Sequence, residues 1–526
     1  MRDFLEKRLN VLLAAVLLLS IVRLWIVPLQ VSFWVDEMVT VFVVHHGAAD
    51  PSLAIAPQVS KSIYYALARA ADAVAGVSEP IYRLPSILAM ALALVFIFWL
   101  AARLIHPDAG WLAVFGCLGL KGLNSEAYDA RPYALGMCVS VAAIFFLIKW
   151  LDSGRWMPAA GFVVLGALVW RVHLVFWPLY LVFALYAVVR LVRRETKVTW
   201  LSALLVFGAL AIALVPVVYE ALSILREAQA HVIMLPPDLG ELTDAIKWKL
   251  LLAAFGAAAA LDRIWHWSSR QLPVTLTAVA ASSIWLIAGW WLIHPLTLFA
   301  FSRWTGDSVF VPRYLSVALP GAAMAAMLAA AWFIPQASAS LPDRRVSASL
   351  SDPRVSASLS DPRMSASPYW KYTALVFGLG VLVTVGNWRH PWTPRANSDW
   401  RGAAAAIRAT VDPATPVIVI SPFIEARPPE WRPDYPLPGF LYSFLPVYEI
   451  RGHPYLFPFA DSPEAQAYAR DLARDTLPRA GRFVIYGGDR NVKRWRDWFE
   501  KQPELAGWRA RDLGSFGDVE AVVMEP

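Results

Sequence analysis

The sequence predicts a mainly α, polytopic transmembrane helical bundle of about eleven spans with a small C-terminal α/β domain. Three observations carry this. Of 526 residues, 58% are apolar and only 17% charged, with mean hydropathy +0.49, which is more apolar surface than a soluble core of that length can bury. The apolar residues gather in nearly charge-free blocks of roughly 17 to 25 residues, the length that crosses a bilayer's hydrocarbon layer. Lys and Arg recur in every second connector between blocks, as orientation signals do.

The first block, Val11 to Pro28, is long and has no small-residue cleavage site before Trp34-Val35-Asp36-Glu37, so it reads as an uncleaved first span. Ile87 to Leu104, Phe162 to Trp177, Trp200 to Tyr219, Val274 to Ile293, Leu315 to Phe333 and Tyr372 to Val385 follow. Less regular stretches at Trp111 to Leu123, Tyr133 to Trp150 and Leu250 to Leu261 bring the count to about eleven. The basic connectors are Met1 to Arg8, Arg103, Lys149 to Arg155, Arg190 to Lys197, Arg263 to Arg270 and Arg344 to Lys371. If these are cytoplasmic, the N-terminus lies inside and the C-terminus outside. The outer face then receives Gln30 to Arg83, Asn124 to Pro132, Leu222 to Trp248, His294 to Arg313 and everything after Asn387.

Residues 1–387 therefore read as the transmembrane module, and residues 388–526 as an extracytoplasmic domain. In the latter, β-like runs at Pro416 to Ile420 and Arg482 to Tyr486 alternate with helix-like stretches at Asp399 to Thr410 and Ala465 to Arg474, an α/β pattern. Within the membrane module, residues 338–368 hold a nine-residue tandem repeat, Arg345 to Pro353 and Arg354 to Pro362, with a partial third copy. Its Ser, Pro and charge content predicts a disordered cytoplasmic loop rather than a solenoid.

The formal charge of +7 and pI near 9.3 do not point to nucleic acid, because the basic residues lie in span connectors. Cys117 and Cys138 fall inside apolar segments without metal-ligand spacing and read as small buried side chains. Most of the 25 tryptophans, including Trp265, Trp267, Trp285, Trp290, Trp291 and Trp304, are expected in membrane-interface belts.

The residues that could carry chemistry lie on the outer side. Asp36 and Glu37 form an acid pair just past the first span, where a carboxylate needs water, a cation or a substrate; capping a short interfacial helix is the alternative. Arg131 follows Asp129 by two residues in a short loop, and the two could simply pair with each other. Arg313, next to Tyr314, could be an ordinary snorkelling anchor. His45, His46 and His173 could be placed around a metal with Asp36, but their spacing matches no strong metal site.

Taken in order, Asp36-Glu37 after the first span, Lys61-Ser-Ile-Tyr-Tyr65, Arg83-Leu-Pro-Ser86, Tyr128-Asp-Ala-Arg-Pro-Tyr133 and Val311-Pro-Arg-Tyr-Leu315 resemble bacterial members of the GT-C glycosyltransferase superfamily. The pattern is most similar to the protein O-mannosyltransferases and the lipid A aminoarabinose transferases. It is clearest over the first 150 residues or so and returns at Asp399-Trp-Arg401. Where those families carry prolines after the lysine, this chain has Ser62 and Ile63.

The resemblance implies a multi-pass enzyme of the bacterial cytoplasmic membrane that moves a sugar from a polyprenyl-phosphate donor to an acceptor hydroxyl with inversion. It implies Asp36 as catalytic base with Glu37 supporting it, and Lys61, Arg131 and Arg313 on the donor phosphate. Tyr64, Asp129, Tyr133 and Tyr314 would support them. No cofactor is implied for the chemistry; some members of the superfamily use a divalent cation, while the families most similar in pattern need none. The partners are the lipid-linked donor, membrane lipids and an acceptor that is a lipid, a glycan or a protein. Rival readings are a transporter or flippase of a lipid-linked substrate and a non-catalytic envelope assembly subunit. Against transport, the ionisable residues gather at the outer boundary and no pair of interrupted helices repeats in two halves.

Overall fold

A computed structural model describes residues 2–47, 62–228, 236–266, 279–306, 308–331, 367–385, 398–422, 443–459 and 462–526. The tandem repeat and Lys61 lie outside the described residues. The chain is an integral membrane protein built on a bundle of apolar helices.

Helix α1 (Arg2–Ile21) runs into a π-turn over Val22–Ile26 and a 3-10 turn over Val27–Gln30, and α2 (Val35–His46) and α3 (Ile63–Ala75) are short helices beside its end. The spans α4 (Glu79–Leu104), α7 (Tyr133–Ser153), α8 (Trp156–Val172), α9 (Leu179–Val192) and α10 (Trp200–Ala228) follow, with α5 (Gly110–Leu118) and α6 (Lys121–Ala127) between α4 and α7. After α11 (Leu239–Ile246), the spans are completed by α12 (Trp248–His266), α13 (Ala281–Thr305), α14 (Leu319–Ala331, entered through a 3-10 turn at Pro312–Ala318) and α15 (Ser367–Thr384).

Among the described residues, seven of these segments are long and apolar enough to cross a membrane alone, and Trp156–Val172, Trp248–Ala260 and Trp370–Thr384 are shorter apolar helices. Helices α5 and α6 meet at Leu120, whose extended backbone (φ −92°, ψ 110°) interrupts the helical ladder between them. Asn124 mends it: its Nδ2 donates to the carbonyls of Leu118 (2.6 Å) and Leu120 (3.2 Å), while its Oδ1 accepts from the Trp25 indole at 2.9 Å. Asn124→Leu keeps the branched outline but strands these buried groups, so it is expected to destabilise the protein by about 2 kcal/mol, read as a lower unfolding midpoint in detergent.

Trp290 and Trp291 hold the bundle rather than forming a belt. Trp290 is fully buried and donates to the Val317 carbonyl at 2.7 Å, and Trp291 donates to Ile246 at 2.6 Å. Gly321 permits this approach, because a Cβ there would meet the Trp291 backbone nitrogen at 2.7 Å. Trp285 and Trp304 are exposed, as belt residues are. At the far ends of the spans, Asp152 bridges Arg103 (2.9 Å) and Arg190 (2.8 Å), so two of the basic connectors are joined by one carboxylate.

Beyond the spans lies a five-stranded mixed sheet in the order β2-β1-β3-β5-β4: β1 (Pro416–Ser421), β2 (His453–Pro458), β3 (Phe483–Gly488), β4 (Arg509–Asp512) and β5 (Val519–Glu525). Strands β2, β1 and β3 are parallel, while β5 is antiparallel to both β3 and β4. The side chains alternate as a two-residue period requires. Ile418, Ile420, Phe483, Ile485, Val522 and Met524 face a core with α17 (Pro463–Asp475) and α18 (Asp489–Phe499). Val417, Val419, Val484, Tyr486, Val519 and Ala521 face the other way, into a core shared with α16 (Trp400–Thr410) and with Phe33, Met38, Tyr64, Tyr65 and Tyr82 of the membrane module. One continuous apolar cluster thus joins the sheet to the segment that carries the acid pair.

Candidate active site

The site begins where span α1 ends. The last carbonyls of a helix need donors from elsewhere, and here one side chain supplies several of them. Arg83, on α4, donates through Nη1 to the carbonyls of Pro28 (3.3 Å), Leu29 (2.9 Å) and Val31 (2.7 Å), and through Nη2 to Ser32 (3.2 Å). Its remaining donors grip Glu37 in a two-point pair, Nε to Oε1 at 2.8 Å and Nη2 to Oε2 at 2.6 Å. Both side chains are 0% exposed. Glu37 also accepts from the backbone amides of Ala130 (2.8 Å) and Trp34 (3.2 Å). It is therefore an enclosed anchor that ties the first span, the start of α2, α4 and the Asp129–Arg131 loop together.

Asp36, one residue earlier, is turned about 100° around α2 and keeps 15% of its side chain exposed. Its Oδ2 lies 3.2 Å from Nη2 of Arg313, which is itself 33% exposed. The Arg131 guanidinium reaches the Asp36 carbonyl (3.2 Å), the Tyr65 hydroxyl (3.2 Å) and Thr40 Oγ1 (3.5 Å). Asp129 accepts from the Trp34 indole at 2.9 Å, and its carbonyl is held by Ser86 Oγ at 2.5 Å and by the Arg131 amide at 2.7 Å. Arg313 stacks over both Trp34 and Tyr314, 5.6 Å from each ring centre. The rings of Tyr133, His173 and Tyr314 pack mutually at 5.1 to 6.2 Å and wall the inner side.

Donor capacity is left over. Arg131 Nε, Arg313 Nε and the Tyr133 hydroxyl are buried without a hydrogen-bond partner among the described residues. Burial alone would push the Arg131 guanidinium down, but Tyr65, Tyr133, Asp36 and Asp129 hold it well above its usual range, so it stays charged. Two guanidinium groups and a phenol with unused donors around one carboxylate form a place where an anion with hydroxyl-bearing neighbours can be bound.

Of the residues singled out in the sequence, Asp36, Arg131, Asp129, Tyr133, Arg313 and Tyr314 meet here. Tyr64 faces away from this group, bonding Ser86 Oγ (3.1 Å) and the Tyr82 carbonyl (3.3 Å), and its neighbour Tyr65 reaches Arg131. The histidines diverge. His45 lies 3.3 Å from the Tyr82 hydroxyl and 3.6 Å from Asp72, His46 packs on Phe42, and His173 Nδ1 accepts from the Val175 amide. No group of three His, Cys, Asp or Glu side chains able to hold a metal occurs among the described residues.

No family model matches the chain, and no curated protein matches it either. Solved structures do, among them two described as ArnT from Cupriavidus metallidurans. The form bound to undecaprenyl phosphate matches at 12% identity with TM-score 0.51, and the apo form at 13% with TM-score 0.52; each match covers 98% of both chains. The fold is that of ArnT.

With so few identical residues, the ArnT-like architecture extends from the first span through the C-terminal sheet while most side chains differ. Tyr65 and Arg83 lie in motifs that carry the resemblance, but the sequence assigns no role in the site to them or to Trp34. A tryptophan next to an acid pair has ordinary interfacial meaning, and nothing in the spacing of Glu37 and Arg83, 46 residues apart, says that they pair.

Proposed function

We propose that the chain is an inverting glycosyltransferase that moves a hexosyl or pentosyl group from a polyprenyl-phosphate donor to an acceptor hydroxyl at the outer face of the bacterial cytoplasmic membrane. The observation that carries this is the pairing of a part-exposed carboxylate, Asp36, with Arg313 beside a charged Arg131, at the membrane end of an ArnT-like fold. Undecaprenyl phosphate in the similar ArnT structure supports a donor of that class.

In the proposed reaction the acceptor oxygen attacks the anomeric carbon from the face opposite the phosphate. Its proton passes to a carboxylate oxygen of Asp36, the bond from that carbon to the phosphate oxygen breaks, and the polyprenyl phosphate leaves with the electron pair. Charge then grows on the phosphate, where the unused donors of Arg131 and Arg313 stabilise it; Lys61 is the third cation assigned to that phosphate. An incoming phosphate competes with Asp36 for Arg313, so donor binding frees the base. Glu37 acts by holding α2 against the Ala130 amide. The C-terminal domain, residues 388–526, is assigned to the outer face, where it roofs the cleft.

The test compares polyprenyl-phosphate sugars by mass spectrometry in cells with and without the chain. One phosphosugar should accumulate in its absence, and no change in any of them would overturn the reading. In nanodiscs, Arg313→Gln is expected to weaken binding of a polyprenyl phosphate at least about tenfold while leaving binding of the uncharged polyprenol unchanged, since the substitution removes a charge-assisted contact to the anion alone.

A further inference from the structure

The segment between the first span and α2, Gln30 to Trp34, is held from two sides. From within, Arg83 takes its carbonyls and Trp34 donates to Asp129. From above, residues more than 360 positions later in the chain take hold of it. Ser32 Oγ donates to the Ser398 carbonyl at 2.6 Å. Arg401 Nη2 donates to the Gln30 carbonyl at 2.9 Å, and its Nη1 pairs with Glu79 at 2.9 Å. The Tyr448 hydroxyl sits at the centre, accepting from the Phe33 amide at 2.7 Å and donating to Glu79 Oε1 at 2.6 Å. The Phe33 ring packs 6.3 Å from Tyr448, 5.9 Å from Tyr82 and under the Arg83 guanidinium at 5.4 Å. Burial, then the adjacent Glu79, raises the Tyr448 phenol above its usual range, so it keeps the proton it donates.

A hydrophobic interface alone would fix the sheet over the bundle without reaching one backbone amide. This one adds three polar contacts on three of five consecutive residues, Gln30, Ser32 and Phe33, ending three residues before Asp36. Trp34, the next residue, carries the indole that holds Asp129 and the ring on which Arg313 stacks.

We propose that Tyr448 is a positioning residue: through the Phe33 amide and Glu79 it fixes the Gln30 to Trp34 strap, and with it the placement of Asp36 and Trp34 in the cleft. This rests on the reading of Asp36 as base. The C-terminal region is then part of what aligns the site, and a change in its docking would be felt in turnover before it is felt in donor binding.

The experiment uses the full chain in nanodiscs and pairs amide hydrogen exchange with donor kinetics. Tyr448→Phe keeps the ring and removes the hydroxyl. It is expected to raise exchange in the peptide covering residues 30–36 about tenfold, leave β1 and β3 as protected as before, and lower kcat about tenfold with donor KM within about threefold of wild type. Ser32→Ala, which removes a separate contact of the same strap, should give a smaller change of the same kind. Unchanged strap exchange in Tyr448→Phe, or a rise spread evenly over residues 398–526, overturns the proposal, as does a loosened strap with wild-type kcat. If the strap loosens and kcat falls while Asp36→Asn transfers sugar at the wild-type rate, the role of Asp36 as base fails and positioning by Tyr448 stands.

Discussion

Asp36→Asn is expected to lower sugar transfer by about a thousandfold while the protein stays folded and still binds its donor. The asparagine has the shape of the aspartate, and its amide oxygen can still accept from Arg313, which in the wild type lies 3.2 Å from the carboxylate. It cannot take a proton from an acceptor hydroxyl. The loss should therefore fall on kcat, with donor KM within about threefold of the wild-type value, because the phosphate contacts assigned to Arg131 and Arg313 remain. Steady-state transfer with a defined polyprenyl-phosphate sugar measures both quantities. Transfer within tenfold of wild type would remove Asp36 from the chemistry, and a matching rise in KM would make it a binding group instead.

The bundle was legible because each span must satisfy the same bilayer, and that requirement is written as a run of apolar residues. Where a span depends on a partner, legibility fails. The apolar run at Trp111 to Leu123 gives no sign that the helix breaks at Leu120, since the break is sustained by Asn124 and Trp25, 99 residues apart. Likewise α9 follows α8 after six residues, too close for hydropathy to separate two crossings cleanly. The sheet strands at Pro416 to Ser421 and Phe483 to Gly488 coincide with the β-like runs because both faces are buried there, so Val417 to Ile420 and Phe483 to Ile485 are apolar without a break.

The candidate site divides in the same way. Asp36 is legible because a charge at the end of an apolar block needs a reason, whereas Arg131 and Arg313 gain their assignment from the family resemblance, and the structure brings all three together. The phase of a helix is harder to read over two residues. Tyr64 and Tyr65 are adjacent, so only the packing of α3 decides that Tyr65 meets Arg131. The same ambiguity held for Asp36 and Glu37, and it is resolved by Arg83, whose side chain fills the space on the Glu37 face. The contact from Tyr448 to Phe33 spans 415 positions and leaves no local mark.

The Glu37–Arg83 pair leads to the second large effect, on stability rather than turnover. Arg83→Met should cost about 3 to 5 kcal/mol, because it leaves a fully buried carboxylate without its cation and takes a donor from the carbonyls of Leu29, Val31 and Ser32. Arg83→Lys should recover little of this, since an ammonium cannot reproduce the two-point grip on Glu37 and reach the carbonyls of Leu29 and Val31 as well. Glu37→Gln combined with Arg83→Met should be less damaging than the sum of the single changes, because the uncompensated charge is gone. Yield of folded protein and the midpoint of thermal unfolding in detergent measure these effects. Near-wild-type stability in Arg83→Met would mean that water or a rearranged loop already reaches this pair, and that Glu37 is available to substrate. The contrast with Asp36→Asn separates the roles of two adjacent acids: one loses turnover with stability intact, the other loses the fold that places it.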